Sequence, residues 1–372
     1  MASKRNVSWT ADELAQLPDV AREVVQERGH ADWITVAERI GGRHSPEACK
    51  VKYRDQGFQS IAAIAAPIRK ARQADAMLVK ARYTPATADL PESSWESAKR
   101  RTNRDLDKHL NRRFLDIAVP SALPIGVSFV SDQHIRTSGP VDLERMEGDA
   151  VLIRETEGMY GVLGGDGIDN HIKHHAAMVN GGTSVAEEWR LFEHYMGFFG
   201  DKILTVISGN HDDWTVDFSG YNALQRIVDD KKVFFAPDEA VLTIKVGSEP
   251  YVLKVRHQYR FKSAFNLIHT VKRLWEQGED DFDVGVVCHE HEAGLEPFMR
   301  HGRQVWGARP GSYQLTSGHS RRYGYGMARP KCPTFILFPD THEVIGLGDV
   351  RQAAGFLTWL RSDWPRNYRG MA

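Results

Sequence analysis

The sequence predicts a layered α/β domain preceded by a small all-α domain, and three observations predict it. Five apolar runs, rich in β-branched residues, each end in Asp, Asn or His. Amphipathic segments of helical length lie between those runs, and strands alternating with helices build a layered α/β domain. Residues 7–57, by contrast, hold short segments of helical periodicity with helix-start signals.

The bulk numbers set the frame. A chain of 372 residues, 41% hydrophobic and 26% charged, has ordinary globular composition and the length of two or three domains. Its net charge of -1 favours no class of partner, so any attraction to a polyanion must be local. Cys49, Cys288 and Cys332 follow neither a zinc-ribbon nor a CxxC spacing, and so sparse a set suits a reducing compartment. The start, Met1-Ala2-Ser3-Lys4-Arg5-Asn6, lacks the apolar core of a signal peptide. No run reaches the roughly 18 apolar residues of a membrane span. A cytoplasmic protein without membrane contact is expected; its oligomeric state is not readable. Four segments are expected: a helical domain over 1–57, a basic linker over 58–118, the α/β domain over 119–350 and a tail over 351–372.

In the first segment Thr10 and Glu13 have the spacing of a capping box, and Leu14, Leu17, Val20, Val24 and Val25 follow at helical spacing. Asp32 to Ile40 gives a second amphipathic helix, stopped by Gly41-Gly42. Ser45 caps a third, with Pro46 at its first position. Two helices joined by a tight glycine turn make a helix-turn-helix pattern. The spacing of Trp9, Trp33 and Tyr53 resembles that of the core aromatics of a Myb or SANT repeat. That resemblance implies a recognition helix in the DNA major groove, with Arg43, Lys50, Lys52 and Arg54 as contacts. Nine basic and nine acidic groups in residues 1–60 leave a protein-binding domain as the alternative. The linker is basic, with twelve Lys/Arg against six Asp/Glu between Arg69 and Arg113, and could follow a phosphate backbone.

The α/β segment begins with Gly126–Ser131 running into Asp132-Gln133-His134. Gly161–Gly165 runs into Asp166-Gly167-Ile168-Asp169, and Ile203–Ser208 into Gly209-Asn210-His211-Asp212-Asp213. Tyr251–Arg256 ends at His257, and Asp283–Cys288 at His289-Glu290-His291. Helices are expected over Leu143–Tyr160, Val185–Gly200 and Ser263–Glu276. Further strands are expected at Val241–Val246 and Thr334–Phe338, the latter paired with Thr341–Gly348. Phe356–Leu360 reads as a short helix. In α/β folds ligands gather at the carboxyl ends of strands. Asp132, His134, Asp166, Asn210, His257, His289 and His291 therefore form one candidate set of oxygen and nitrogen donors, suited to divalent metals. Seven donors exceed one tetrahedral zinc and suffice for two metals about 3.5–4 Å apart, the clamp of phosphoester hydrolysis.

The blocks Asp132-x-His134, Gly165-Asp166-x-x-Asp169, Gly209-Asn210-His211-Asp212, His257 and His289-x-His291 resemble those of the calcineurin-like metallophosphoesterase superfamily. The resemblance spans residues 120–345 and departs from the family pattern where Cys288 replaces a glycine. It implies a four-layered α/β/β/α sandwich. It implies that Asp132, His134 and His291 hold one metal, that Asn210, His257 and His289 hold another, and that Asp166 bridges them. Manganese is the expected metal, with iron, zinc, nickel or cobalt admissible. His211 would protonate the leaving oxygen and Asp212 would orient it. Asp169 would steady a ligand rather than bind metal; His171, His174 and His175 read as exposed helix histidines. Arg321, Arg322 and Tyr323, within an Arg- and Tyr-rich stretch from Gly302 to Arg329, are candidate substrate contacts. The function expected is phosphodiester hydrolysis, with DNA as partner and substrate. The alternatives are a phosphomonoesterase or small-nucleotide phosphodiesterase with a protein-binding head, and a non-catalytic DNA-binding protein.

Overall fold

The computed structural model describes residues 8–28, 33–55, 78–81, 99–100, 102–103, 113–136, 139–170, 184–263, 265–278, 280–316, 322, 324 and 326–367. His171, His174, His175, Arg321, Tyr323, the side chain of Arg54 and most of the expected linker lie outside them. The chain divides into two compact units, residues 1–76 and 77–372.

Helices α1 (Ala11–Arg28), α2 (Trp33–Arg39) and α3 (Pro46–Asp55) make up the first unit. Thr10 and Glu13 close the capping box, each backbone N–H donating to the other's side chain. Leu17, Ala21, Val24, Val36, Ala37, Cys49 and Tyr53 form its core. Trp33 meets Tyr53 edge to face, while Trp9 stacks flat on His44. Glu13 also accepts from His44 and pairs with Arg43. Arg43 thus serves the head's internal packing as well as its surface.

The second unit is a mixed α/β sandwich of two sheets between helical layers. One sheet has the order β1-β2-β7-β8-β9-β11-β10 and the other β13-β12-β3-β4-β5-β6. The strands are β1 (Leu78–Ala81), β2 (Phe114–Val119), β3 (Ile125–Val130), β4 (Met159–Leu163), β5 (Ile203–Ile207), β6 (Phe234–Ala236) and β7 (Glu239–Val246). They continue with β8 (Glu249–Arg256), β9 (Val284–Val287), β10 (Gly294–Arg300), β11 (Arg303–Arg309), β12 (Thr334–Leu337) and β13 (Val344–Leu347). Among the described residues it also has helices α4 (Leu143–Glu155), α5 (Val185–Phe198), α6 (Asn210–Ser219), α7 (Ala223–Asp230), α8 (His269–Gln277) and α9 (Val350–Asn367).

Period-2 alternation sorts the strand residues between layers. Ile125, Val127 and Phe129 of β3 face Leu242, Ile244 and Leu253 of the opposing sheet, filling the core between the sheets. Val130, Leu163 and Val206 turn the other way, toward α4, α5, α7 and α9. Helix α8 covers the far face of the seven-stranded sheet through Val271, Leu274 and Trp275. The layers therefore run α/β/β/α. Parallel pairing of β3 with β4, β4 with β5 and β8 with β9 brings their carboxyl ends to one edge.

Several boundaries differ from those expected. The sandwich takes β2, with Leu115, Ile117 and Val119 buried, and β1 from the stretch assigned to the linker. Helix α8 begins only at His269, because side chains of Ser263 and Asn266 accept the backbone N–H groups of Asn266 and Ile268 and hold a turn. The expected tail is a long helix, α9, with Leu357, Leu360 and Trp364 in the core. Among the described residues no helix is long and apolar enough to cross a membrane.

Tyr251 ties the sheets together. Its buried hydroxyl meets the carbonyls of Phe338 and Thr341 and accepts the Phe338 N–H at 3.1 Å. Replacing Tyr251 by Phe should lower unfolding free energy by about 1–3 kcal/mol, since the buried N–H loses its acceptor. Denaturant melts check this; an unchanged midpoint would show the contact to be dispensable.

Candidate metal centre

The five strand ends converge. Donor atoms of Asp132, Asp166, His257 and His289 lie within 4.8 Å of one another, as do those of Asp132, His134 and His291. A third group joins His134, Asp169 and His211. All seven expected ligands except Asn210 fall in these groups. Asn210, at the first turn of α6, accepts from the Gln258 side chain at 2.7 Å, and that amide also touches His289 at 3.0 Å. Gln258 follows His257 directly but ends no apolar run, so the sequence pattern did not mark it.

Backbone geometry aims the donors. Asp132, His134, Asp166, His289 and His291 all have φ between 47° and 73°, a left-handed conformation that costs non-glycine residues about 1 kcal/mol or more each. Backbone bonds hold them there: Asp132 N–H to the Gly165 carbonyl, His134 N–H to that of Asp166, and Ser312 N–H to that of His291. The loops pack backbone against backbone. A Cβ on Gly209 would lie 2.2 Å from Asp166, and one on Gly165 2.6 Å from the Gly209 nitrogen.

Each key carboxylate has one oxygen tied and one turned inward. The His289 N–H binds Asp132 Oδ2, and the His211 N–H binds Asp166 Oδ1. Asp132 Oδ1 and Asp166 Oδ2 are buried with no hydrogen-bond partner, and so is His257 Nε2. The Gly164 carbonyl lies 2.8 Å from His257 Nδ1. A carbonyl only accepts, so Nδ1 carries the hydrogen and a neutral ring turns a bare Nε2 toward Asp166 Oδ2, 3.2 Å away. Similarly His134 Nε2 and His291 Nε2 stand 3.0 Å apart. Donors that face one another so closely share a proton or a cation, and this oxygen and nitrogen set fits a divalent metal.

The electrostatics agree. Burial opposes charge on Asp166, but the imidazoles of His257, His289 and His211 outweigh it and hold the carboxyl well below the usual range. Burial likewise disfavours a charged His257, yet Asp166 and Asp132 push it up to about 10: without a metal, a proton fills the gap.

His211 lies beside the centre. Burial, only partly opposed by Asp166, drives its ring down to about 4. Its Nδ1 meets the Asp169 carbonyl at 2.6 Å, and one face rests on Trp214, 4.0 Å between centroids. Asp212 does not orient His211 as expected. It accepts the N–H groups of Asp166, Gly167 and Gly209 instead, closing the loops around the bridge position. Asp169 sits between Arg136 and Gln314, with His134 Nδ1 at 3.3 Å.

Among the described residues of the Gly302–Arg329 stretch, several are committed to packing rather than to the surface. Trp306 donates to the Val344 carbonyl, Arg309 and Tyr313 are buried, and Ser312 binds the Asp132 carbonyl from behind. Arg322 is exposed. Cys288 is buried, and its Sγ leaves Gly164 no room for a side chain.

No protein-family model matches the chain, and no curated protein sequence does. Among solved structures, Vps29 of Entamoeba histolytica complexed with zinc is similar at 11% identity and TM-score 0.31, over 60% of this chain and 99% of that one. The Thermotoga maritima protein TM1076 is similar at 16% identity and TM-score 0.28, over 60% and 98%. The sulfate thiohydrolase SoxB of Thermus thermophilus gives 11% and 0.34, over 66% of this chain and 61% of that one. Likeness at this level says nothing about a reaction.

Asp212→Asn should cost about 1–3 kcal/mol, because an amide group must then face backbone N–H donors. It should also lower the metal retained after dialysis. Denaturant melts and elemental analysis check both; unchanged values would mean the clasp is not needed.

Proposed function

We propose that the chain is a metal-dependent phosphoesterase that hydrolyses phosphodiester bonds, with DNA as substrate. One observation supports it above others: two groups of inward-facing donors share Asp132, one of them containing Asp166, and the buried Asp132 Oδ1, Asp166 Oδ2 and His257 Nε2 have no hydrogen-bond partner. Such a pair of sites suits two divalent ions, manganese first, with iron, zinc, nickel or cobalt compatible with mixed oxygen and nitrogen donors. Cations held there would polarise the phosphoryl oxygens and bring the pKa of a bound water toward about 7.

The remaining chemistry belongs to the chain. Asp132, His134 and His291 hold one side of the centre; His257, His289 and Asn210 hold the other; Asp166 lies between. His211 faces the substrate. With Nδ1 committed to the Asp169 carbonyl, its Nε2 gives up a proton only when the ring is charged, so donation to the leaving oxygen needs an imidazolium, which an anionic phosphate favours. Trp214 fixes the ring plane. The preference for DNA rests on the N-terminal head, where α3 carries Lys50, Lys52 and Arg54. The balance of nine basic and nine acidic groups in residues 1–60 supports a second reading, in which the head binds protein and the substrate is a smaller phosphoester.

Manganese-loaded protein should hydrolyse bis-p-nitrophenyl phosphate and labelled DNA. Asp166→Asn should lose both turnover and metal, and His211→Ala should lose roughly 100-fold or more in kcat while keeping metal. Full activity in Asp166→Asn would overturn the centre; monoester cleavage alone would favour the second reading.

Lys50→Ala with Lys52→Ala should weaken duplex binding and reduce the magnitude of the salt slope by about 1–2. Titrations at several salt concentrations check it, and an unchanged slope would remove DNA from the head's role.

A further inference from the structure

A cleft of about 580 Å³ opens beside the centre, its walls including Arg256, Tyr259, Arg260, Lys262, His289 and Glu290. His289 belongs both to this wall and to the donor group of the proposed centre, so the cleft adjoins that group.

Its charges are not equivalent. Arg256 is engaged by Glu239, and Lys262 pairs with Glu290 at 2.6 Å. Arg260 is exposed, and its hydrogen-bond partner is the neutral Gln277 side chain at 3.4 Å. Its guanidinium lies over the rings of Tyr259 (5.9 Å) and Phe261 (4.9 Å). Phe261 adds a separate observation. This bulky residue is 38% exposed and has φ 73°, a left-handed conformation with a real cost. Arg273 sits 4.8 Å from the same ring. Phe261 thus forms a surface cluster with Tyr259, Arg260 and Arg273.

We propose that this cleft is a nucleotide subsite, taking the unit next to the scissile phosphate of a single strand. The base stacks on the exposed Arg260 plane, which Tyr259 and Phe261 support from behind, and the neighbouring phosphate lies against the same guanidinium. Stacking on aromatic and guanidinium planes beside cations is how single strands are held. The proposal rests on the phosphoesterase reading and places strand binding in the β8–α8 loop rather than in the Gly302–Arg329 stretch.

The test compares the full manganese-loaded chain with Arg260→Ala and Arg260→Gln. One substrate is a labelled single strand about six nucleotides long; the other is methyl p-nitrophenyl phosphate, whose non-leaving side cannot stack. The ratio of kcat/KM values, oligonucleotide over small diester, should fall about tenfold in both variants. An unchanged ratio overturns the subsite while wild-type turnover leaves the phosphoesterase reading standing. If wild-type protein turns over neither substrate, that reading fails by itself. Fluorescence anisotropy with the same oligonucleotide then decides: weaker binding by both variants supports the subsite, and equal binding overturns it.

Discussion

The centre of this protein is an electrostatic problem that the fold creates on purpose. The Gly164 carbonyl at the end of β4 holds the Nδ1 hydrogen of His257, so the other ring nitrogen faces Asp166 Oδ2 at 3.2 Å and shares that gap through a proton or a metal ion. Whichever of the two fills the gap ties the β4 and β8 ends together. The left-handed backbones of Asp132, Asp166 and the His289–His291 pair fit the same logic: local strain is tolerated because loop-to-loop hydrogen bonds over-determine the geometry. A metal held there would link stability to metal loading.

Much of this was legible in the sequence because strands write their ends plainly. Apolar runs of four to six residues that stop at Asp, Asn or His locate both the sheets and the inward edge. What stayed hidden was the support. Ser312 and Gln258 touch ligands, yet neither stands in a pattern: one is a lone hydroxyl in a loop, the other an amide after a recognisable histidine. Their roles arise from chain crossings between β8, β9 and the segment after β11, and such long-range pairings leave no local period. Asp212 misled for a related reason. Its neighbour in sequence is His211, but α6 begins at Asn210 and turns the carboxylate back toward the loop N–H groups.

The Arg- and Tyr-rich stretch shows the limit of composition. Interleaved cations and aromatics fit a strand-binding face equally well as a β-strand whose alternate residues enter a core. In β11 the second outcome holds, and Trp306 packs against Phe335. The β8–α8 loop, with a similar mixture, keeps Arg260 and Phe261 at the surface. The same residue types thus have opposite fates, decided by whether a period-2 pairing partner exists, and β10 supplies one for β11.

The position of β12 has a consequence for how the protein is made. β3, which delivers Asp132 and His134, is hydrogen-bonded on one side to β4 and on the other to β12, some two hundred residues later in the chain. Helix α9 then seals the layer behind it through Leu357 and Trp364. During synthesis the first ligands emerge long before the strand that flanks them, so the six-stranded sheet cannot close as it is translated. The nascent domain must wait with β3 exposed along one edge, a state open to mispairing and to chaperone capture. Ligand order along the chain and assembly order in the fold are, for this molecule, different sequences of events.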